Sequence, residues 1–261
     1  MRNVTDRTRN PFGMTPPCSA YVPGFGDANA DFHVVGDHPG VHGGLDDAVP
    51  FAGEPWSAAF FDALVRGGLL RDATTGDHLA ADEAHEADDD AADSADAVDA
   101  LDAAEAADGD QALASDGDGL TDRTGEYPVT VDRTFLSYLH MCLPEGEPSA
   151  DDYADMDRFF DAELRAIAAH VLLPVGERAT EHVLEQYTAR ARDTEVDMET
   201  LHGQEIRGSG WLVVPIRDPS EWEAGDADRL VESLQELQRT DYHREADLGR
   251  FLPGDEPYLV R

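Results

Sequence analysis

Apolar residues recur along the chain in two rhythms, and their alternation predicts a sheet layered with helices. Short unbroken apolar runs at 32–35 (FHVV), 134–141 (TFLSYLHM), 171–175 (VLLPV) and 211–216 (WLVVPI) have the length and composition of buried strands. Between them the spacing changes to that of a helix face. Phe60, Phe61, Leu64, Val65 and Leu69 form one such face. Phe159, Phe160, Leu164 and Ile167 form a second, started by Pro148-Ser149. A third helix is expected over 179–192 and a fourth around 230–237, with 193–208 a loop or hairpin approach. Strands alternating with helices predict a parallel sheet covered on both faces. The expected fold class is therefore α/β, a three-layer α/β/α sandwich around a central, mainly parallel four-stranded sheet. Polar, proline-punctuated residues 1–21 read as an irregular arm, and GDHPG at 36–40 as a tight turn leaving the first strand.

One segment breaks both rhythms. Residues 72–126 hold 19 acids and one arginine among 55 residues, filled out mostly with alanine and glycine. So few large apolar side chains cannot offset the entropy of ordering, which predicts a disordered insertion in an otherwise single domain spanning 1–261. Acids are not confined to it. The formal net charge is −37, all 19 basic residues are arginine, and acids also stud segments expected to fold, such as 151–163. This composition fits a halophilic protein working where salt screens its self-repulsion, the Debye length being about 3 Å at 1 M; an ordinary acidic protein with one disordered tract is the alternative. It argues against electrostatic adhesion to nucleic acid or anionic membranes in dilute buffer. No stretch approaches the ~20 apolar residues that span a bilayer, and the first residues lack the apolar core of a signal peptide. A cytoplasmic location is expected. Cys18 and Cys142 are the two cysteines, with no C-x-x-C pair, so no self-standing metal site is expected.

The densest constellation runs from residue 22 to 69. VPGFGDANADFHVVGDHPGVHGG, followed by PFAGEPWSAAFFDALVRGGL, resembles the first motif region of the uracil-DNA glycosylase superfamily, in its family 4 and family 5 branches. The resemblance is dense over this stretch and patchy beyond it. It implies a glycosylase-type α/β/α sandwich that excises uracil or another deaminated or damaged base from DNA in base-excision repair, acting as a monomer on an extruded base. A catalytically impaired relative that binds nucleic acid or nucleotide without turnover is the alternative.

Residue by residue, the resemblance makes Asp37 the carboxylate that positions the attacking water. Phe51 becomes the ring stacking on the extruded base, and Glu54 the second catalytic acid. His42 matches the histidine of the family-5 HGG element, and His38 flanks the same turn. Asp218-Pro219-Ser220 stands where the superfamily usually has H-P-S. A charged Asp218 there would repel the developing base anion, so either it is protonated, or another donor such as His38 or His42 serves, or the chemistry differs. Tyr138 replaces an asparagine that reads the base edge, Ser220 completes the substrate contacts, and Trp222 sits where relatives enter the duplex. Simpler alternatives stand beside these roles: turn capping for Asp37 and Asp218, core packing for Phe51 and Trp222, and helix-dipole stabilisation for Glu54. Both branches hold a four-cysteine iron–sulfur cluster. Here Cys18 and Cys142 match two ligands while Tyr21 and Met156 occupy the other places, so no cofactor and no metal are expected. The resemblance also implies that the two cysteines lie close together and pin the arm to the domain.

Overall fold

Helices and strands form largely where side-chain periodicity places them. The computed structural model describes residues 8–72, 129–131, 133–188, 196–208, 210–243 and 246. In chain order these are β1 (Phe25–Gly26), β2 (Phe32–Gly36), a one-turn α1 (Pro39–His42), α2 (Ser57–Arg66), β3 (Leu70–Asp72), β4 (Val129–Val131), β5 (Thr134–Tyr138), α3 (Ala150–Ile167), β6 (Val171–Pro174), α4 (Glu177–Tyr187), α5 (Met198–Leu201), β7 (Ile206–Arg207), β8 (Leu212–Val213) and α6 (Asp226–Arg239). The main sheet has the order β1-β5-β2-β6-β8-β7. Its four inner strands are parallel, and β1 and β7 close the edges antiparallel. The expected sheet therefore gains two strands. Each is a residue pair, too short to leave a period in the sequence.

Both faces of the sheet are covered. Val34, Leu136 and Leu173 pack with Phe60, Phe61 and Leu64 of α2 and Leu230, Leu234 and Leu237 of α6. On the opposite face Val35, Leu172 and Val213 meet Phe160 and Leu164 of α3 and Val183 and Leu184 of α4. Successive strand residues point to opposite faces, so a strand buried on both sides needs an apolar residue at every position. This is why β2 and β6 read as unbroken runs. The start of α3 follows from its sequence. The Ser149 hydroxyl accepts from the Asp152 amide while the Asp152 carboxylate accepts from the Ser149 amide, a reciprocal cap.

Several local expectations change. The helix expected over 179–192 is α4, which ends at Tyr187 with Thr188 extended, residues 189–192 lying outside the described residues. The strand expected over 211–216 narrows to Leu212–Val213. Residues 36–40 are the end of β2 plus the entry to α1: His38 accepts from the Gly40 amide as N-cap, and Pro39 begins the turn with its φ preset. Leu69 lies past α2, buried but outside the helix. Of the stretch expected as a loop or hairpin approach, the described residues from 196 on hold the one-turn α5 and then β7, which pairs antiparallel with β8 as a hairpin arm. The arm is less irregular than expected. It bridges Arg9 to Phe25 and Tyr21 to Cys142, and a Cys18–Cys142 disulfide closes it across 124 positions.

Residues 73–126 of the acidic segment lie outside the described residues, but its borders do not. β3 and β4 flank it as an antiparallel pair, with Leu70 opposite Val131 and Asp72 opposite Val129. Chain ends held side by side can be joined by a short linker at small entropic cost. Deleting 77–119 is therefore expected to leave the unfolding midpoint at molar salt within a few degrees of the full chain. A large drop in thermal melts would show that the segment contributes to the folded core.

Candidate functional site

Strand order decides where a site forms. From β2 the chain crosses to β5 on one side, and from β6 it crosses to β8 on the other, so the connections diverge between β2 and β6. Sheets of this kind open a crevice at the carboxyl ends of the strands beside such a switch point. Asp37 and His38 follow β2 directly, Gly176 follows β6, and Asp218 lies two residues past the Val175–Ile216 bridge that extends β6.

His42 links these elements. Its Nδ1 accepts from the Asp37 amide at 3.0 Å. An amide can only donate there, so the ring proton sits on Nε2, which donates to Asp218 Oδ2 at 3.3 Å. The pair joins positions 176 residues apart. Oδ1 of Asp218 accepts from the Ser220 amide at 2.8 Å and its hydroxyl at 2.7 Å. Burial pushes the Asp218 carboxyl up, yet the His42 and Ser220 hydrogen bonds outweigh it and hold the group at about 2. Of the alternatives for Asp218, the protonated one is thus disfavoured: it is a carboxylate paired with an imidazole. Gly36 permits this approach, since a Cβ there would meet His42 Nδ1 at 2.8 Å and the Tyr138 ring at 2.7 Å. Gly176 opens α4 at φ 82 without a side-chain cap. A Cβ on it would lie 3.8 Å from both His42 Nε2 and Asp218 Oδ2, so the uncapped first turn of α4 starts beside the pair.

Asp37 is held from the other side. The Tyr153 hydroxyl of α3 donates to its Oδ1, and burial followed by this bond pushes the phenol up in pKa. Its Oδ2 lies 4.0 Å from His38 Nε2, whose Nδ1 is occupied by the Gly40 amide at 3.1 Å. Burial lowers the pKa of His38 more than the neighbouring Asp37 raises it. Behind them His140 packs edge-on to Tyr153 at 5.7 Å, and Arg178 of α4 lies 5.2 Å over the Tyr153 ring. Sequence reading missed Tyr153, His140 and Arg178. Tyr153 is one apolar position on a helix face, and nothing local marks it as the partner of Asp37. The exposed Val41 and Leu143 flank the same turn and were also missed.

The remaining candidates pack behind this cluster or apart from it. Phe51 is completely buried, at φ 69, between His42, Phe60 and Tyr138 with ring centroids 5.1–5.5 Å apart. Tyr138 is equally buried. Its hydroxyl accepts from the Phe51 amide at 2.7 Å and faces the carbonyls of His42 and Gly43 at 2.9 and 3.1 Å. Both rings brace the 42–51 loop, and neither presents a free face to a base. Glu54 is half-buried beside Gly43, its Cγ 2.9 Å from where a Cβ on that glycine would stand. Trp222 packs against Phe60 and His202, donating from Nε1 to the Arg217 carbonyl at 2.8 Å. That is the packing role, so alanine at Phe51 or Trp222 removes core contacts first.

The four positions that the resemblance equates with cluster ligands do converge. Cys142 is bonded to Cys18, bridges to Tyr21 through the backbone, and has its sulfur 3.8 Å from that of Met156. A disulfide, a phenol and a thioether do not supply the four thiolates that an iron–sulfur cluster takes. These residues do not fit that cofactor.

The fold is an α/β sandwich with a carboxylate–histidine cluster at the carboxyl end of its parallel strands. Compared with known proteins, the chain matches no family model, and no curated protein matches it. Among the described residues no helix is long and apolar enough to cross a membrane.

Proposed function

We propose that the crevice is the active site of a DNA-repair glycosylase that hydrolyses the N-glycosidic bond of uracil or another deaminated base. The observation carrying this reading is the convergence of Asp37 with the His42–Asp218 pair at the sheet's switch point. The sequence likeness of 22–69 to the uracil-DNA glycosylase superfamily supports it. Asp37, oriented by Tyr153, holds a water against the anomeric carbon and takes its proton. The C–N electron pair leaves with the base. Two fixed carboxylates offset the cationic sugar of the transition state. The uncapped start of α4 favours negative charge through the helix dipole and offsets part of the repulsion between the departing base anion and the neighbouring Asp218 carboxylate. The protein works as a cytoplasmic monomer at high salt, where phosphate contacts contribute little. Contact with DNA then rests on apolar groups such as Val41 and Leu143, which salt does not screen.

Release of free base from single- and double-stranded DNA containing deoxyuridine, at multimolar salt, tests the proposal. We expect base release under single-turnover conditions, from uracil or from another deaminated base in a lesion series. A second reading, binding without turnover, draws on the covered rings of Phe51 and Tyr138, which leave the crevice without an aromatic platform. DNA affinity with no base released from any lesion would favour it.

A further inference from the structure

At the opposite end of the sheet, away from the crevice, we propose a second site: Asp31, His170 and His243 bind one divalent transition-metal cation of the zinc type. Asp31 immediately precedes β2 and His170 immediately precedes β6. The two are fixed relative to each other because the Asp31 carbonyl accepts from the amides of His170 and Val171 at 2.9 and 3.0 Å. His243 arrives from the segment after α6. Oδ1 of Asp31 lies 3.1 Å from His243 Nε2 and 3.5 Å from His170 Nδ1, and all three donor atoms fall within 4.8 Å of one another. A tetrahedral ion with bonds of about 2.0–2.1 Å places neighbouring ligand atoms about 3.3 Å apart. Two edges of that tetrahedron are therefore already present.

Hydrogen bonding alone leaves one atom unexplained. His170 Nδ1 is buried and has no hydrogen-bond partner, although a buried ring nitrogen ordinarily finds one. A cation shared with His243 and Asp31 would satisfy it. The other carboxylate oxygen, Oδ2, is held by the Arg133 guanidinium, with the Tyr242 hydroxyl 3.4 Å away. Such outer contacts orient a carboxylate ligand and leave Oδ1 facing the histidines. Arg133 also opposes a cation, while the chain's net charge of −37 draws cations towards it. Two imidazoles with one carboxylate select zinc, cobalt or nickel over magnesium or calcium, which prefer all-oxygen shells. The side chains are 19 to 45% exposed, so solvent reaches the site and can fill a fourth position. A bound ion would tie the segment after α6 to the start of two central strands.

The full chain, stripped with EDTA and returned to molar potassium chloride, is titrated with Zn²⁺ by calorimetry and with Co²⁺ by visible absorption. We expect one saturable equivalent, a rise in unfolding midpoint with Zn²⁺, and cobalt bands of a low-coordinate site. His170→Gln and His243→Gln should each weaken binding at least tenfold and abolish the Zn²⁺-dependent rise. EDTA-treated melts show whether each variant folds, and Asp31→Asn serves if either does not. No saturable binding, or binding unchanged in variants that fold, would overturn the proposal.

Discussion

Replacing Glu163 by glutamine is expected to remove a loss of stability that the protein otherwise suffers between about pH 6.5 and 8. Glu163 lies on the sheet-facing side of α3, fully buried, with no well-formed hydrogen bond to either carboxylate oxygen beyond the approach of the Gly24 amide. Burial raises its pKa from 4.5 to about 8, the nearby Gly24 amide pulling only weakly the other way. Within that window the folded protein keeps a proton that the unfolded chain releases, so stability falls as pH rises, by about 1.4 kcal/mol per pH unit. His33 has the opposite sign. It is buried in β2, and burial lowers its pKa from 6.5 to about 3. Between those values the unfolded chain binds the extra proton, so stability rises with pH. Where the windows overlap, from 4.5 to 6.5, the slopes cancel. The two groups together give a rise from 3 to 4.5, a plateau, and a fall from 6.5 to 8. Glu163→Gln leaves only the His33 slope, and its advantage over the parent should reach several kcal/mol by pH 8. Denaturant unfolding of both proteins across pH, at one molar salt concentration, reads the difference. A parent that keeps its stability from pH 6.5 to 8 would mean that ionised Glu163 finds a partner inside the fold.

Asp37→Asn is expected to lower the single-turnover rate of base release by ~10²-fold or more, the scale of a positioned acid–base group. The substitution keeps shape and the Tyr153 contact but removes the proton acceptor and one negative charge beside the sugar. Binding of DNA should change little, because the carboxylate acts on the transition state rather than on the duplex. Glu54→Gln is the informative comparison. The sequence likeness gives Glu54 a catalytic role, whereas the fold leaves it beside Gly43, with Asp37 bonded to Tyr153 and Asp218 to His42. A smaller loss than that of Asp37→Asn is therefore expected. If Asp37→Asn kept the parent rate and Glu54→Gln did not, the water would belong to Glu54.

Some of this architecture is written locally in the chain. The apolar runs of β2 and β6, the Ser149 cap of α3 and the apolar faces of α2 and α6 each depend on residues within a few positions of one another. Near-neighbour periodicity is what a sequence records directly. Composition likewise marked the acidic segment without reference to the fold. The short edge strands β1 and β7 left no such trace, because a two-residue strand is defined by its partner. Glu163 reads in sequence as one more surface acid among many, and the sheet packed against α3 is what buries it. The site shows the same division. Asp37, His42 and Asp218 stand out as candidates in the chain, but nothing local pairs an imidazole with a carboxylate 176 residues away, or Tyr153 with Asp37. Those partnerships, like that of Asp31 with His170 and His243, follow from which strands lie side by side. Strand order is settled by long-range burial on both faces of the sheet, and distant side chains meet only once that sheet has formed.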